Sequence, residues 1–468
     1  MRRTDDAANF IIDTLKNIFH DDYTDVTKVQ LYCHYIESIL ISLLNAQRIG
    51  ISCDDDLETL HRMTEIGLLS ADIPAFFGEY TKHMACPPQF FAASDWSNVH
   101  TIHEGLLGRE LNIAKNTIRF THDKVTRDNT GSYYTPGNLA LAVVREAINQ
   151  YLKVNDIDNE TDAARLLSQT KFADLSCGSG EFIKAFRTEL IERYHIAPEQ
   201  VSMNLYGVDI DPIALQITVC DLLEIMPKDS WSEIVKHFVL GNPLINQPME
   251  KDSALKTRLF ATGRYYAADM GINICRLFAD ADIDIVAGNP PWEKIRFEER
   301  KFFKPIIPEI SMISQKNKRQ AAIEKLQSQQ PYCYDWYRLI TNDYIHFKKE
   351  AKKHPYLNKS LNGELNTYVL FTELSLNIVS KKGVLALLVK SAIATSPANK
   401  PFFTQLTKEK KLASLCLFTN SLKIFDIDSR EQFCVITCTN KENPSFELIA
   451  GATKAEDLHD LERSSITS

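Results

Sequence analysis

The stretch Lys171-Phe-Ala-Asp-Leu-Ser-Cys-Gly-Ser-Gly-Glu-Phe182 decides how this chain is read. A short β-rich run ends near an acid, two glycines follow with one residue between them, and an amphipathic segment starts at once. Glycines in such a turn let the backbone approach a ligand closely, at the carboxyl end of a strand where doubly wound sheets bind their ligands. The third glycine of G-x-G-x-x-G is missing, so the turn by itself is a weak signal. The next run strengthens it: Leu205-Tyr-Gly-Val-Asp-Ile-Asp-Pro212 reads as a strand ending in Asp209, an acid placed to accept both hydroxyls of a ribose. Asp211, just before Pro212, reads instead as a helix N-cap with proline at the first helical position.

Outward from these two runs the same texture continues. Phe172 to Leu175, Asn204 to Ile210, His237 to Leu240, Ile283 to Ala287, Val384 to Lys390, Leu412 to Phe418 and Phe433 to Thr439 are candidate strands, separated by amphipathic segments. Alternation of this kind predicts an α/β fold, a parallel sheet of seven strands with crossover helices. Ahead of it Phe10, Ile11, Leu15, Ile18 and Phe19 recur at helical spacing, as do residues between Leu31 and Leu44. The expected organisation is a helical N-terminal region over 1–130 that docks a partner or DNA, a main domain over 131–445 with a helical insertion at 293–365, and a C-terminal tail over 446–468.

Composition narrows the function classes. The chain has 468 residues, 44% hydrophobic and 24% charged, with 17 Gly and 18 Pro, as expected of an ordinary globular protein rather than a disordered or fibrous one. Its apolar runs fall short of the ~18 to 20 residues that cross a bilayer. The opening Met-Arg-Arg-Thr-Asp-Asp does not look like a signal peptide, so a cytoplasmic location is expected. Ten cysteines are scattered without any Cys-x-x-Cys, and no metal site is expected; Cys434 and Cys438 read as core thiols on one face of a strand. The net charge is −8, yet residues 293–365 carry 15 Lys/Arg against 9 Asp/Glu, while residues 1–130 carry 12 against 19. An acidic chain meets a polyanion only where positive charge is concentrated, and the insertion is that concentration. The same pattern also suits a solvated lysine-bearing helix face, and both readings stay open.

The sharpest chemical signal follows the fourth strand, in Asn289-Pro-Pro-Trp292. Two prolines stiffen the backbone and remove two donors, leaving the Pro290 carbonyl as an acceptor beside the Asn289 side-chain oxygen. Two converging acceptors can grip an amino group. An amine conjugated to a ring is a poor nucleophile because its lone pair is delocalised; hydrogen bonds accepted from its two protons pyramidalise it and aim the lone pair. Trp292 offers an aromatic face for a planar base, a contact worth ~1–3 kcal/mol.

Together these residues resemble the amino-group DNA methyltransferases that use S-adenosylmethionine, of the motif order that places the cofactor-carboxylate loop first. These are mostly adenine-N6 enzymes of bacterial restriction-modification and phage-defence systems. The resemblance runs from about Ile102 to Thr439. It includes Gly131-Ser-Tyr-Tyr-Thr-Pro136, Asp174 to Phe182, Gly207 to Pro212, Val239-Leu-Gly-Asn-Pro-Leu244, the Asn-Pro-Pro-Trp tetrad, Leu365 to Glu373 with Gly383 to Val389, and Phe418 to Thr439. It implies a Rossmann-like seven-stranded methyltransferase sheet with S-adenosylmethionine as cofactor. Thr135 and Pro136 would flank its methionine end, Asp174, Cys177, Gly178 and Gly180 would line its middle, and Tyr134 and Phe182 would also belong to its binding site. Asp209 would take the ribose, Ile210 would cover the adenine, and Asn242 would meet the adenine edge. Asn289, Pro290, Pro291 and Trp292 would be the catalytic tetrad, acting on an adenine flipped out of DNA.

Two departures stand out: Leu175-Ser176 where the family usually has Pro-Ala, and Asn242 where Asp is frequent. A third is that only 29 residues follow Thr439, so the expectation is that sequence recognition comes from a specificity partner, as with modification subunits of multisubunit systems. Cytosine-N4 or RNA methylation, methylation of a glutamine amide in a translation release factor, and a non-catalytic scaffold role remain as alternatives. No Glu-x-Lys of the nuclease type occurs in 1–130, and Glu350-Ala-Lys352 lies in a lysine-rich stretch, so no cleavage activity is expected.

Overall fold

A computed structural model of the chain describes residues 2–85, 99–114, 116–121, 135–245, 282–304, 306–361, 365–425 and 429–467. Five helices come first: α1 (Arg2–Phe19), α2 (Val26–Arg48), α3 (Asp56–Glu65), α4 (Asp72–Tyr80) and α5 (Val99–Leu107). The sequence reading made this region mainly helical to about Ala114. The structure adds an antiparallel hairpin, β1 (Glu110–Ala114) with β2 (Thr117–Thr121), whose short apolar alternation was hidden behind the helical pattern.

All seven expected strands are present, as β3 (Phe172–Asp174), β4 (Leu205–Asp209), β5 (Phe238–Leu240), β6 (Ile283–Gly288), β7 (Val379–Lys390), β8 (Leu412–Thr419) and β9 (Gln432–Thr439). They lie in one sheet in the order β5-β4-β3-β6-β7-β9-β8, all parallel except β9, which runs against both neighbours. The fold is therefore the expected α/β one. Strand order reverses between β3 and β6, and a crevice at their carboxyl ends is where open α/β sheets take ligands. Helix α6 (Gly137–Val154) packs on this sheet, α7 (Glu181–Glu192) follows the glycine turn, and α8 (Pro212–Leu223) follows Asp209.

The expected tail is not a tail. β10 (Ser445–Ala452) joins β8 in parallel and β11 (Ser464–Thr467) pairs with β10, making nine strands. Arg463 bonds the buried Glu146 of α6 at 3.0 Å, and the Ser414 hydroxyl donates to the same carboxylate at 2.8 Å. The burial pattern of β10 departs from strict alternation, and its register shifts beside Gly451, which sits at φ 84°. That irregularity is why period-two reading passed over it.

The insertion is helical as expected, with α9 (Lys316–Gln329) and α10 (Pro331–Ala351) as its longest elements. It does not stand apart. Phe303, Ile310, Ile323, Leu326, Trp336 and Tyr337 share one apolar core with α1, α2, α4 and α5, while the sheet and its helices form a second core. Helix α8 serves both: Ile213 and Ile217 belong to the N-terminal core, Leu215, Val219 and Leu222 to that of the sheet. Apolar residues all round a helix are what burial on two sides requires.

Cys434 and Cys438 are buried in the sheet, and burial pushes Cys438 up to about 12 and Cys434 higher still, so both are neutral packing thiols. No helix among the described residues is long and apolar enough to cross a membrane.

Phe303 is fully buried where the insertion meets the N-terminal helices, with its ring 5.4 Å from that of Tyr337. Phe303→Ala is expected to lower the unfolding free energy by roughly 3–5 kcal/mol in urea titration, and a change below about 1 kcal/mol would show that the two segments do not share a core.

Candidate functional site

The site is built where β3, β4 and β6 end. After β3 the chain turns through Gly178 at φ 51° and Gly180 at φ 91°, left-handed conformations that glycine adopts without strain. Gly180 caps α7, and a Cβ there would come within 2.9 Å of Thr218 on α8. Above Gly178 there is open space. The Thr218 hydroxyl donates to the Gly178 carbonyl at 2.8 Å and so holds the turn from below.

Asp209 ties this turn to the end of β4. Its Oδ2 accepts from the Gly178 amide at 2.7 Å, and its Oδ1 from the Asp211 amide at 2.8 Å. Burial pushes its carboxyl up to about 6, although those amide bonds favour the charged form. Asp211 caps α8, accepting from the amides of Ile213 at 2.9 Å and Ala214 at 3.3 Å, with Pro212 in the first turn, as the sequence reading had it. Ile210 between the two acids is 37% exposed, an apolar side chain open at the strand end.

Asp174 ends β3 and is almost fully buried. Burial pushes it up to about 8, against a hydrogen bond from the Ser176 amide at 3.0 Å. A Cβ at residue 288 would lie 2.5 Å from Asp174 Oδ1, so glycine is required there for β6 to pass beside that acid. Cys177 and Phe182 are buried in the sheet core, and burial pushes the Cys177 thiol well above its usual range. Both support the turn from inside. Asn242 follows β5 and accepts from the Leu244 amide at 3.0 Å, so its carbonyl oxygen shapes its own turn.

The tetrad stands across the reversal point. Asn289 donates from Nδ2 to the Thr135 hydroxyl at 3.0 Å, which joins the end of the first loop directly to the tetrad. Asn289 Oδ1 is buried and has no hydrogen-bond partner among the described residues. A fixed carboxamide with a buried, unmatched acceptor is poised to receive a donor, since leaving such an atom unpaired costs about 1–3 kcal/mol. Pro136 stands at the N-cap of α6, and Tyr134 lies outside the described residues.

Trp292 departs from expectation. It is 7% exposed, donates from Nε1 to the Leu388 carbonyl at 3.2 Å, and packs against Phe433 and Phe425 with ring centroids 6.0 and 5.4 Å away. A large ring with one donor settles where a core and an acceptor coincide, and here the core of β7 and β9 offers both. Trp292 anchors the tetrad instead of presenting a face for a base.

Sequence reasoning assigned no role to Thr367, whose hydroxyl donates to the Pro291 carbonyl while accepting from the Glu293 amide at 3.0 Å. Nor did it single out Thr218, or His103 and Glu104 on α5. Burial raises Glu104 to about 7, beside His100, Glu181 and Ser179. Only the position of Thr367 inside the quoted Leu365 to Glu373 segment pointed its way.

Residues 203–425 match the family model described as Eco57I restriction-modification methylase. That span is somewhat under half of the chain, and it contains Asp209, Ile210, Asn242 and the tetrad. No curated protein matches the sequence. Among solved structures, the chain is similar to the DrdV–DNA complex, at 12% identity and a TM-score of 0.50, over 99% of this chain and 44% of that one. It is similar also to the ATP-dependent Type ISP restriction-modification enzyme LlaBIII bound to DNA, at 12% identity and a TM-score of 0.50, over 98% of this chain and 30% of that one. The chain thus spans less than half the length of either, and at this identity the likeness is one of fold.

The raised acids give a pH test. Asp174 binds its proton more tightly folded than unfolded, so its contribution to stability is present below the ordinary carboxylate range and is lost as pH rises through about 8. Asp174→Asn removes that titration. Urea midpoints measured between pH 4 and pH 8.5, a window spanning roughly both ends of the shift, should fall less steeply for the variant; coincident slopes would show that burial does not govern this carboxyl.

Proposed function

We propose that this chain transfers a methyl group from S-adenosylmethionine to an exocyclic amine of DNA, adenine N6 in the first place, as the modification component of a restriction-modification or phage-defence system. The observation that carries this reading is the Asn289 carboxamide, held through its nitrogen by Thr135 while its oxygen stays buried and unmatched at the carboxyl end of β6. That oxygen accepts one proton of the target amine and the Pro290 carbonyl the other, because the Pro291 carbonyl is already taken by Thr367. The prolines keep both acceptors in place without reorganisation, so activation of the amine is positional and electrostatic.

The residues present fit the cofactor. Asp209 offers remaining lone pairs to the ribose hydroxyls, the Gly178 turn leaves open space for close approach, and Ile210 is exposed to cover an adenine. Bound there, S-adenosylmethionine supplies an electrophilic methyl carbon on a sulfonium. The target amine lies inside a duplex, so the base has to be flipped out at a cost of a few kcal/mol. Lys316, Lys318, Lys325, Lys348, Lys349 and Lys352 on the insertion are exposed and are the groups proposed to hold phosphates. A specificity partner seated on the acidic N-terminal region belongs to the same reading.

Asn289→Ala should reduce methyl transfer from tritiated S-adenosylmethionine by a hundredfold or more, roughly the scale of losing one preorganised group aimed at the reacting centre. Calorimetry should find cofactor binding nearly unchanged. Equal loss of both would remove Asn289 from the chemistry, and label appearing in cytosine-only DNA or RNA would redirect the substrate. Efficient methylation of one defined sequence by the chain alone would remove the partner.

A further inference from the structure

A buried side chain of the N-terminal helices reaches the turn beyond β4. His103 on α5 is 1% exposed; its Nδ1 lies 3.2 Å from Glu37 Oε1 on α2, and its Nε2 lies 3.4 Å from Asp211 Oδ2 at the start of α8. An imidazole facing a carboxylate from each nitrogen needs a proton on both, so it is the cation that fits. Asp211 spends its other oxygen on the cap of α8, and its own amide donates to Asp209 Oδ1 at 2.8 Å. Glu37, His103, Asp211 and Asp209 are therefore linked in series, by a hydrogen bond at Nδ1, an ion-pair contact at Nε2 and a backbone amide bond.

We propose that His103 is a positioning residue for cofactor binding: gripped between Glu37 and Asp211, it fixes the turn that aims the Asp209 carboxylate, making the N-terminal helical region a working part of the cofactor site. This rests on the reading that Asp209 receives the ribose of S-adenosylmethionine. Helix α8 is held elsewhere as well, by Asn45 on Gln216 at 3.0 Å, by His100 on Asp221 at 3.0 Å and by Arg48 on Asp221. Removing the His103 link alone thus leaves the helix docked and loosens only its first turn. The charged groups facing His103 are Glu37 from α2, Asp211 from α8 and Glu104 from its own helix. Burial opposes the charge, but Asp211 and then Glu37 outweigh it and raise His103 to about 9. The link is complete below that pH and is lost above it.

The test uses the full chain with S-adenosylhomocysteine, which is stable across the pH range, in titration calorimetry. His103→Gln, which removes the ion-pair contact with Asp211, should weaken binding about tenfold. Asp211→Asn, which keeps an effective N-cap while removing the charge, should do the same. Wild-type affinity should fall as pH passes about 9, and this fall should be missing from both variants. Asp174 and Asp209 lose their protons lower, at about 8 and about 6, so the alkaline fall is not theirs.

A second readout separates aim from general support. By saturation-transfer NMR the variants should lose adenosine binding relative to wild type, yet match it on 2′,3′-dideoxyadenosine, which lacks the hydroxyls Asp209 would hold. Equal losses on both nucleosides, or variants that bind S-adenosylhomocysteine like wild type, would overturn the proposal while leaving the cofactor reading intact. A wild-type chain that fails to bind S-adenosylhomocysteine would instead overturn the cofactor reading, and this proposal with it.

Discussion

The hydrogen bond from the Gly178 amide to Asp209 joins the ends of two adjacent strands into one cradle, and much of the structure follows from keeping it. The donor is available only because Gly178 sits in a left-handed conformation, and Gly180 must lack a side chain for Thr218 to pack beneath the turn. The acceptor is buried, which raises its proton affinity, and the amides of Gly178 and Asp211 are what keep the charged form accessible. An acid so placed is costly unless something is organised around it.

That organisation is helix α8. It begins three residues beyond Asp209, its cap touches the acid, and its two apolar sides bind the sheet on one flank and the N-terminal helices on the other. The insertion closes the second core. A helix shared by two cores ties the position of one to that of the other. The tetrad is braced in a comparable way, by Thr135 on one side, Thr367 on another, and the Trp292 indole sunk among Phe425, Phe433 and the backbone of β7.

Much of this was legible before any coordinates. The seven central strands, the glycine turn, the acid ending β4 and the cap at Asp211 all rest on short-range signals: period-two burial, turn chemistry, and proline after an acid. The hairpin at 110–121 and strands β10 and β11 escaped because they are short, and β10 is irregular. Trp292 was misjudged because an aromatic beside a stiff turn suits a ligand face and a core equally well until its neighbours are known.

The sequence by itself determined where the strands and the glycine turn lie and in what order they occur, since alternation, glycine spacing and proline placement act over a few residues. Only the tertiary structure decided which of them meet. Thr135 reaches Asn289 across 154 residues, and His103 reaches Asp211 from a different region of the chain. Such pairings have no local signature: they come from the packing of two cores against one helix, where each side chain finds its partner only after burial has removed the alternatives that water would have offered.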